Sequence, residues 1–336
     1  MDVPPLAHAA DRRYNREEKP EAEGRGGREK GRSIVRKENG KRMQWVADGL
    51  CLLTAAIWGT GFIASQAAID ADMSAALIMA LRFTLAAVVM LLVCLPRLRG
   101  FRVHEWKVGS AAGLALFGAF FTQIVGQQYT TVSHCAFLTA TNVVLVPFLV
   151  WIFRRRRPSA RTFACAAAAL LGIGLLSITP GSFALSFGFG DAMSLLCALL
   201  FALHITSLGR LSPEDDVLRV NLVQLSVAAV VSVAVFLITD LHAVEAVNWN
   251  LGLPAVVYLG LFSTCLCYFL QTTAQKYTSP SQAGVLLSAE GLFGSLFSVL
   301  LGMEPLTVNL AVGGLIILGA VIGMELSPRK KQPEKG

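Results

Sequence analysis

The sequence predicts an all-α integral membrane protein of ten spans, arranged as two five-helix halves that enter the membrane from opposite sides. Three observations predict it. Hydrophobic residues make up 54% of the 336-residue chain and charged residues 15%, a balance that leaves a soluble domain unable to cover its apolar surface. The apolar residues fall in blocks of roughly 20, the length that crosses about 30 Å of hydrocarbon. The second half of the chain also repeats features of the first.

Residues 1–42 carry twelve Lys or Arg, eight Asp or Glu and no apolar run, the composition of a disordered tail. No apolar stretch follows its basic residues until position 46, which excludes a cleavable secretory signal, and its acidic content argues against a transit peptide. Met43 stands directly before the first span, so the tail could stem from an upstream start. The apolar blocks of the first half are 46–69, 75–95, 108–127, 133–153 and 160–179. Those of the second are 190–210, 219–239, 253–273, 281–302 and 306–325. Two units then run over 43–181 and 188–326, joined by an uncharged, Gly- and Phe-rich connector at 180–190 and followed by a basic tail at 327–336.

Ten crossings put both termini on one side. With the termini in the cytoplasm, the basic loops lie there too: Arg97, Arg99, Arg102 and Lys107; Arg154 to Arg157 with Arg161; Arg210 and Arg219; Lys276; and the C-terminal tail. Of 29 Lys and Arg, Arg82 alone falls elsewhere. The opposite loops hold Asp70, Asp72, Asp240, Glu245 and Glu304 without Lys or Arg, as the positive-inside rule requires. The net charge of +7 is therefore a matter of topology, with membrane lipids as neighbours and no nucleic-acid partner. The seven cysteines all sit inside apolar blocks without metal-ligand spacing, which reads as packing rather than a metal or cofactor site. No nucleotide-binding signature or paired catalytic constellation appears, which argues against an ATP-driven pump and an enzyme.

The repeat is visible in residues 126–145 and 274–293, which align without gaps. They share Gln127/Gln275, Tyr129/Tyr277, Thr130/Thr278, Ser133/Ser281 and Leu138/Leu286. Asp48 before the first span matches Asp191 at the head of the sixth. Because five is odd, two such copies run in opposite senses, an inverted repeat of the kind found in secondary transporters.

These residues resemble the drug/metabolite transporter superfamily, and within it the EamA-type transporters of ten spans, over residues 46–326. The resemblance rests on AAIWGTGF with Trp58 and Gly59, ALRFTLAA with Arg82 and Phe83, and SPSQAGVLLSAEGLFGSLFSVLLGMEPLT in span nine. In the family a proline commonly follows the mid-span acidic position, whereas here Gly291 follows Glu290. The resemblance implies helices around a central cavity, with spans five and ten peripheral. It also implies export of amino acids, nucleobases, sugars or drugs, and a bacterial inner membrane.

Arg82 lies within span two, where a charge costs at least ~2.5 kcal/mol and is kept for a partner or a pathway. Glu290 falls near the midplane of span nine, the depth at which repeat-built transporters place their sites. A carboxyl that changes between charged and neutral forms there is a candidate proton carrier. Its repeat mate Asn142 sets an amide across from the acid, an asymmetry suited to a zwitterion. Arg82 and Glu290 differ in depth by roughly 7 Å, so a static bridge between them is the structural alternative. Trp45, Trp106, Trp151 and Trp249 fall at span ends as interfacial anchors. Trp58 is mid-membrane, where it could stack on a flat substrate or pack on a helix, and its N–H needs a partner; Phe201 is its repeat counterpart.

Gln123, Tyr268 and Gln271 add polar groups that membrane helices turn inward. His204 could shuttle protons or hydrogen-bond a backbone carbonyl. Glu304 reads as a solvated topology residue. Gly109 with Gly113, and Gly319 with Gly323, form small-residue faces for helix packing, and span ten could also serve a homodimer. Ser279 and Pro280 mark the start of span nine. The function that emerges is secondary transport of small metabolites by alternating access, coupled to protons; an intramembrane enzyme or lipid-processing protein, or a non-transporting assembly subunit, is the alternative.

Overall fold

The computed structural model describes residues 20–130, 135, 138–155, 157–176, 188–300, 306 and 308–325, with backbone alone for 20–41. Most of the predicted connector, Glu304 and the basic C-terminal tail lie outside these residues. The chain divides into two compact units, residues 1–46 and 47–336, and all side-chain geometry below belongs to the second.

The described secondary structure is helical, without strands. The elements are α1 (Pro20–Asp70), α2 (Ala75–Cys94), α3 (Val103–Tyr129), α4 (Asn142–Arg154), α5 (Ala160–Leu176) and α6 (Phe189–Leu208). There follow α7 (Val217–Thr239), α8 (Trp249–Gln275), α9 (Pro280–Leu287), α10 (Glu290–Leu300) and α11 (Val308–Glu325). Helical backbone reaches back to Pro20, into the polar segment that composition alone reads as disordered. Glu, Arg and Lys are good helix formers, a preference that low hydrophobicity hides.

Among the described residues six helices are long and apolar enough to cross a membrane: Arg42–Asp70, Ala75–Arg97, α3, α6, α7 and α8. The predicted blocks at 133–153, 160–179 and 306–325 correspond to shorter apolar helices at Leu138–Arg154, Ala160–Gly172 and Ala311–Gly323. The block at 281–302 divides into α9 and α10. Side chains such as Leu92, Leu171, Val230, Ile238 and Leu315 stand exposed on the outside. Water would not tolerate that much contiguous apolar surface, and a bilayer does. Trp106, Trp151 and Trp249 at span ends are exposed too, as interfacial anchors are.

Local signals set the helix starts. Ser74 accepts from the Leu77 amide at 3.2 Å, Asp216 from the Leu218 amide at 2.9 Å, and Ser279 from the Gln282 amide at 3.2 Å with Pro280 in the first turn. Each satisfies one of the donors a helix leaves open. Small residues set the crossings. A Cβ on Gly113 would lie 2.5 Å from the Gln224 carbonyl oxygen, and one on Gly109 would lie 2.7 Å from Val223, so α3 packs directly on the backbone of α7. Gly323 faces Cys165 of α5, whereas a Cβ on Gly319 meets nothing within 4 Å. Two large apolar clusters and two smaller ones fill the interior among the described residues; the large ones frame the site. One is built on α2, α3, α7 and α8 around Phe83, Phe120 and Tyr268. The other is built on α1, α4, α6 and α9 around Ala55, Val146 and Leu286.

Candidate functional site

A cavity lies between the two large clusters. Six residues singled out from the sequence line it: Trp58, Arg82, Gln123, Asn142, Gln271 and Glu290. Its apolar wall comes from Phe62, Phe120, Phe201 and Leu287. Aromatic faces with a few polar groups are the usual makeup of a small-molecule pocket.

Arg82 is fully buried in α2. Its Nε and Nη2 donate to the Thr264 hydroxyl at 3.0 and 2.9 Å, and its guanidinium carbon lies 4.0 Å from the centroid of the Phe120 ring. Nη1 has no hydrogen-bond partner. One hydroxyl and one ring thus hold the cation in place while leaving a donor for something else. Thr264 is brought there by a π-helical stretch, Leu259–Leu266, inside α8. Such stretches disrupt the regular ladder and are frequent at functional sites. The neighbouring Ser263 carbonyl accepts from Trp58 Nε1 at 2.8 Å, which supplies the partner the half-buried indole requires. The indole is therefore fixed by α8 and presents its ring to the cavity.

Glu290 is the first residue of α10, just after the helix breaks at Ser288 and Ala289. Asn142 is the first residue of α4, just after the turn at Thr141. The two repeat mates therefore occupy the same place in two interrupted helices. No ion pair joins Arg82 to Glu290 among the described residues, so the static bridge is not what holds either side chain. The close approach of α1 to α10 explains the glycine of the Trp-Gly pair, because a Cβ on Gly59 would lie 2.6 Å from the Gly294 nitrogen.

Two predicted residues stand elsewhere. Tyr268 is fully buried behind the cavity wall, its ring 5.4 Å from that of Trp58 and 6.0 Å from that of Phe120. His204 lies behind Tyr268, their rings 5.3 Å apart, and its Nε2 meets Gln224 Oε1 at 3.0 Å. Its partner is a side-chain amide, and the Tyr268 ring stands between it and Trp58. Phe120, Ser263 and Thr264 escaped the sequence reading, since an aromatic or a hydroxyl within an apolar block carries no distinctive pattern.

A profile of the EamA-like transporter family matches the chain twice, over residues 45–178 and 188–326. The chain belongs to that family. Two tandem copies account for the internal repeat as a duplication of one family domain. A protein of Archaeoglobus fulgidus described as an uncharacterized transporter is 32% identical over 278 residues, covering 82% of this chain and 84% of its own. The Bacillus subtilis uncharacterized transporter YetK is 26% identical over 275 residues, covering 76% and 78%. A crystal structure at 21% identity superposes with a TM-score of 0.68 over 83% of this chain and 96% of its own, a likeness of fold. Together with the apolar helices, membership makes this a multi-pass membrane transporter, a class that is not typically enzymatic.

Proposed function

We propose that this family member is a secondary transporter that carries small zwitterionic metabolites through the cavity, exporting them by alternating access of two inverted five-helix halves. Ten spans place both termini in the cytoplasm, and in a bacterium the membrane is the inner one. The observation that carries this reading is the cavity's pair of charges. Arg82, whose Nη1 has no hydrogen-bond partner, and Glu290 line the same space without an ion pair between them, so a substrate with an anionic and a cationic end can satisfy both. Glu290 doubles as the proton carrier, since protonation would release the cationic end. Trp58, Gln123, Gln271 and Asn142 contact the body of the substrate.

The packing supports the inverted arrangement. With α1 to α5 matched to α6, α7, α8, α9/α10 and α11, helices α2 and α7 pair with each other, as do α5 and α11. Helix α3 packs on α7 just as α2 packs on the π stretch of α8. Asp48 accepts from the Thr278 hydroxyl at 3.0 Å, and its mate Asp191 accepts from the Thr130 hydroxyl at 3.0 Å. The two interrupted helices, with Asn142 and Glu290 at the breaks, are the arrangement by which repeat-built transporters form midplane sites.

Purified protein in liposomes with an imposed pH gradient tests the reading. A panel of radiolabelled amino acids, nucleobases, organic acids and amines should give gradient-dependent flux for zwitterions above the rest. No flux for any member of the panel would overturn it.

A further inference from the structure

Behind the cavity wall lies a run of buried polar side chains on α6, α7 and α8, hydrogen-bonded to one another. Gln271 lines the cavity and directly precedes Thr272 in α8, its own Nε2 donating to Gln275 Oε1 at 3.1 Å. His204 Nε2 meets Gln224 Oε1 at 3.0 Å, and Gln224 Nε2 meets Thr272 Oγ1 at 3.0 Å and also reaches Asn221 Oδ1. Asn221 stands four residues from the start of α7 at Val217, close to the loop that carries Asp215 and Asp216. All of these side chains are buried, and His204, Asn221, Gln224, Gln271 and Thr272 expose no surface at all.

This run is incompletely satisfied. Of the seven described buried side-chain atoms without a hydrogen-bond partner, four belong to it or abut it: Gln271 Oε1, Tyr268 OH, His204 Nδ1 and Asn221 Nδ2. With Gln224 Oε1 accepting, His204 Nε2 carries the proton and Nδ1 is an acceptor without a donor; Asn221 Nδ2 is a donor without an acceptor. Buried groups of this kind are costly when left open, and an apolar helix interface would avoid them altogether. A water molecule needs two to four polar partners, and the run supplies complementary donors and acceptors along its length. Beyond Asn221, Lys276 Nζ donates to the Asp215 carbonyl at 2.7 Å, and the Asp215 carboxylate meets the half-exposed His104 at 2.8 Å. These charged, solvent-reached groups stand on the loop before α7, five and six residues ahead of Asn221, and at the end of α8, four residues after Thr272.

We propose that this seam is a water-lined path joining the cavity to the end of the molecule where α7 begins, drawn shut here by side-chain hydrogen bonds and opened during the transport cycle. It deepens the transporter reading by assigning one of the two routes that alternating access requires. Gln224 and Asn221 act as the closing groups, because their amides bridge α7 to His204 on α6 and Thr272 on α8.

Cysteine labelling tests the proposal without any substrate. Asn221→Cys and Thr272→Cys are reacted with a membrane-impermeant thiol reagent in vesicles of each orientation. The unsubstituted chain, whose described cysteines are buried, gives the background. His104→Cys marks the face, and Val230→Cys, on the lipid-exposed side of α7, marks a position water does not reach. Both seam positions should label from the face that labels His104→Cys, at least about tenfold faster than Val230→Cys, because hydrocarbon excludes water and the reagent with it. Labelling no faster than Val230→Cys, or only from the opposite face, would overturn the seam. Either position suffices if the other variant does not fold. Labelling without flux would retain the seam and remove the transporter reading, whereas flux without labelling would do the reverse.

Discussion

Arg82 is a membrane-embedded cation held by a hydroxyl and an aromatic ring rather than by an anion. Two of its nitrogens serve Thr264, and the third, Nη1, is buried without a hydrogen-bond partner in a residue that lines the cavity. Lysine has a single ammonium and no planar fork, so it cannot both engage Thr264 and reach into the cavity. Arg82→Lys should therefore lower flux by at least ~10-fold, about 1.4 kcal/mol or more of lost interaction, with the protein still monodisperse in detergent. Flux within twofold of the unsubstituted protein would show that Arg82 does not meet the substrate. Glu290 makes the complementary prediction. A glutamine mimics the protonated acid at every pH, so Glu290→Gln should flatten the pH profile of flux, measured across a series of internal pH values. A profile that keeps its original slope would remove Glu290 as the proton carrier.

At the scale of elements, close helix crossings depend on single hydrogen atoms. A methyl on Gly59 would collide with the α10 backbone, and one on Gly113 with the α7 backbone, while one on Gly319 meets open space. Gly59→Ala and Gly113→Ala should each destabilise by about 1–3 kcal/mol, as overpacking does. Gly319→Ala should be neutral or slightly stabilising through helix propensity. Thermal unfolding in detergent reads the order directly, and equal midpoints for all three would contradict these crossings. Element type and rough extent were legible in the sequence because twenty-residue apolar blocks leave few alternatives. Interruptions were not. Neither the turn at Ser288 and Ala289 nor the π stretch in α8 carries a proline at the break, and an apolar helix with an extra residue per turn has the same composition as one without. The amides and charges of the cavity were legible because they stand out in apolar blocks; its serines were not, and Phe120 was hidden among 19 phenylalanines.

Across the whole molecule, the two tandem family domains give each half a buried aspartate bound to a threonine of the other half, Asp48 to Thr278 and Asp191 to Thr130. If the halves are equivalent, Asp48→Ala and Asp191→Ala should lower the unfolding midpoint similarly. Each hydrogen bond to a charged group corresponds to about 1.5–3 kcal/mol, and each substitution removes at least two, since Asp48 also accepts from Gln282 Nε2 at 3.2 Å and Asp191 from the Gly188 amide at 2.9 Å. The repeat itself was legible as paired residues at fixed spacing, yet pairing across the halves needed the fold, since Asp48 and Thr278 are distant in sequence. The central claim is that Arg82 and Glu290 jointly read a zwitterion. The most direct measurement is flux in liposomes of one zwitterion and of its analogues lacking either the cationic or the anionic group, with the unsubstituted protein and with Arg82→Lys and Glu290→Gln. The account predicts that each truncated analogue is transported poorly by the unsubstituted protein, and that Arg82→Lys narrows the gap between the zwitterion and the analogue lacking the anion. Equal flux of the zwitterion and both analogues through the unsubstituted protein would contradict it.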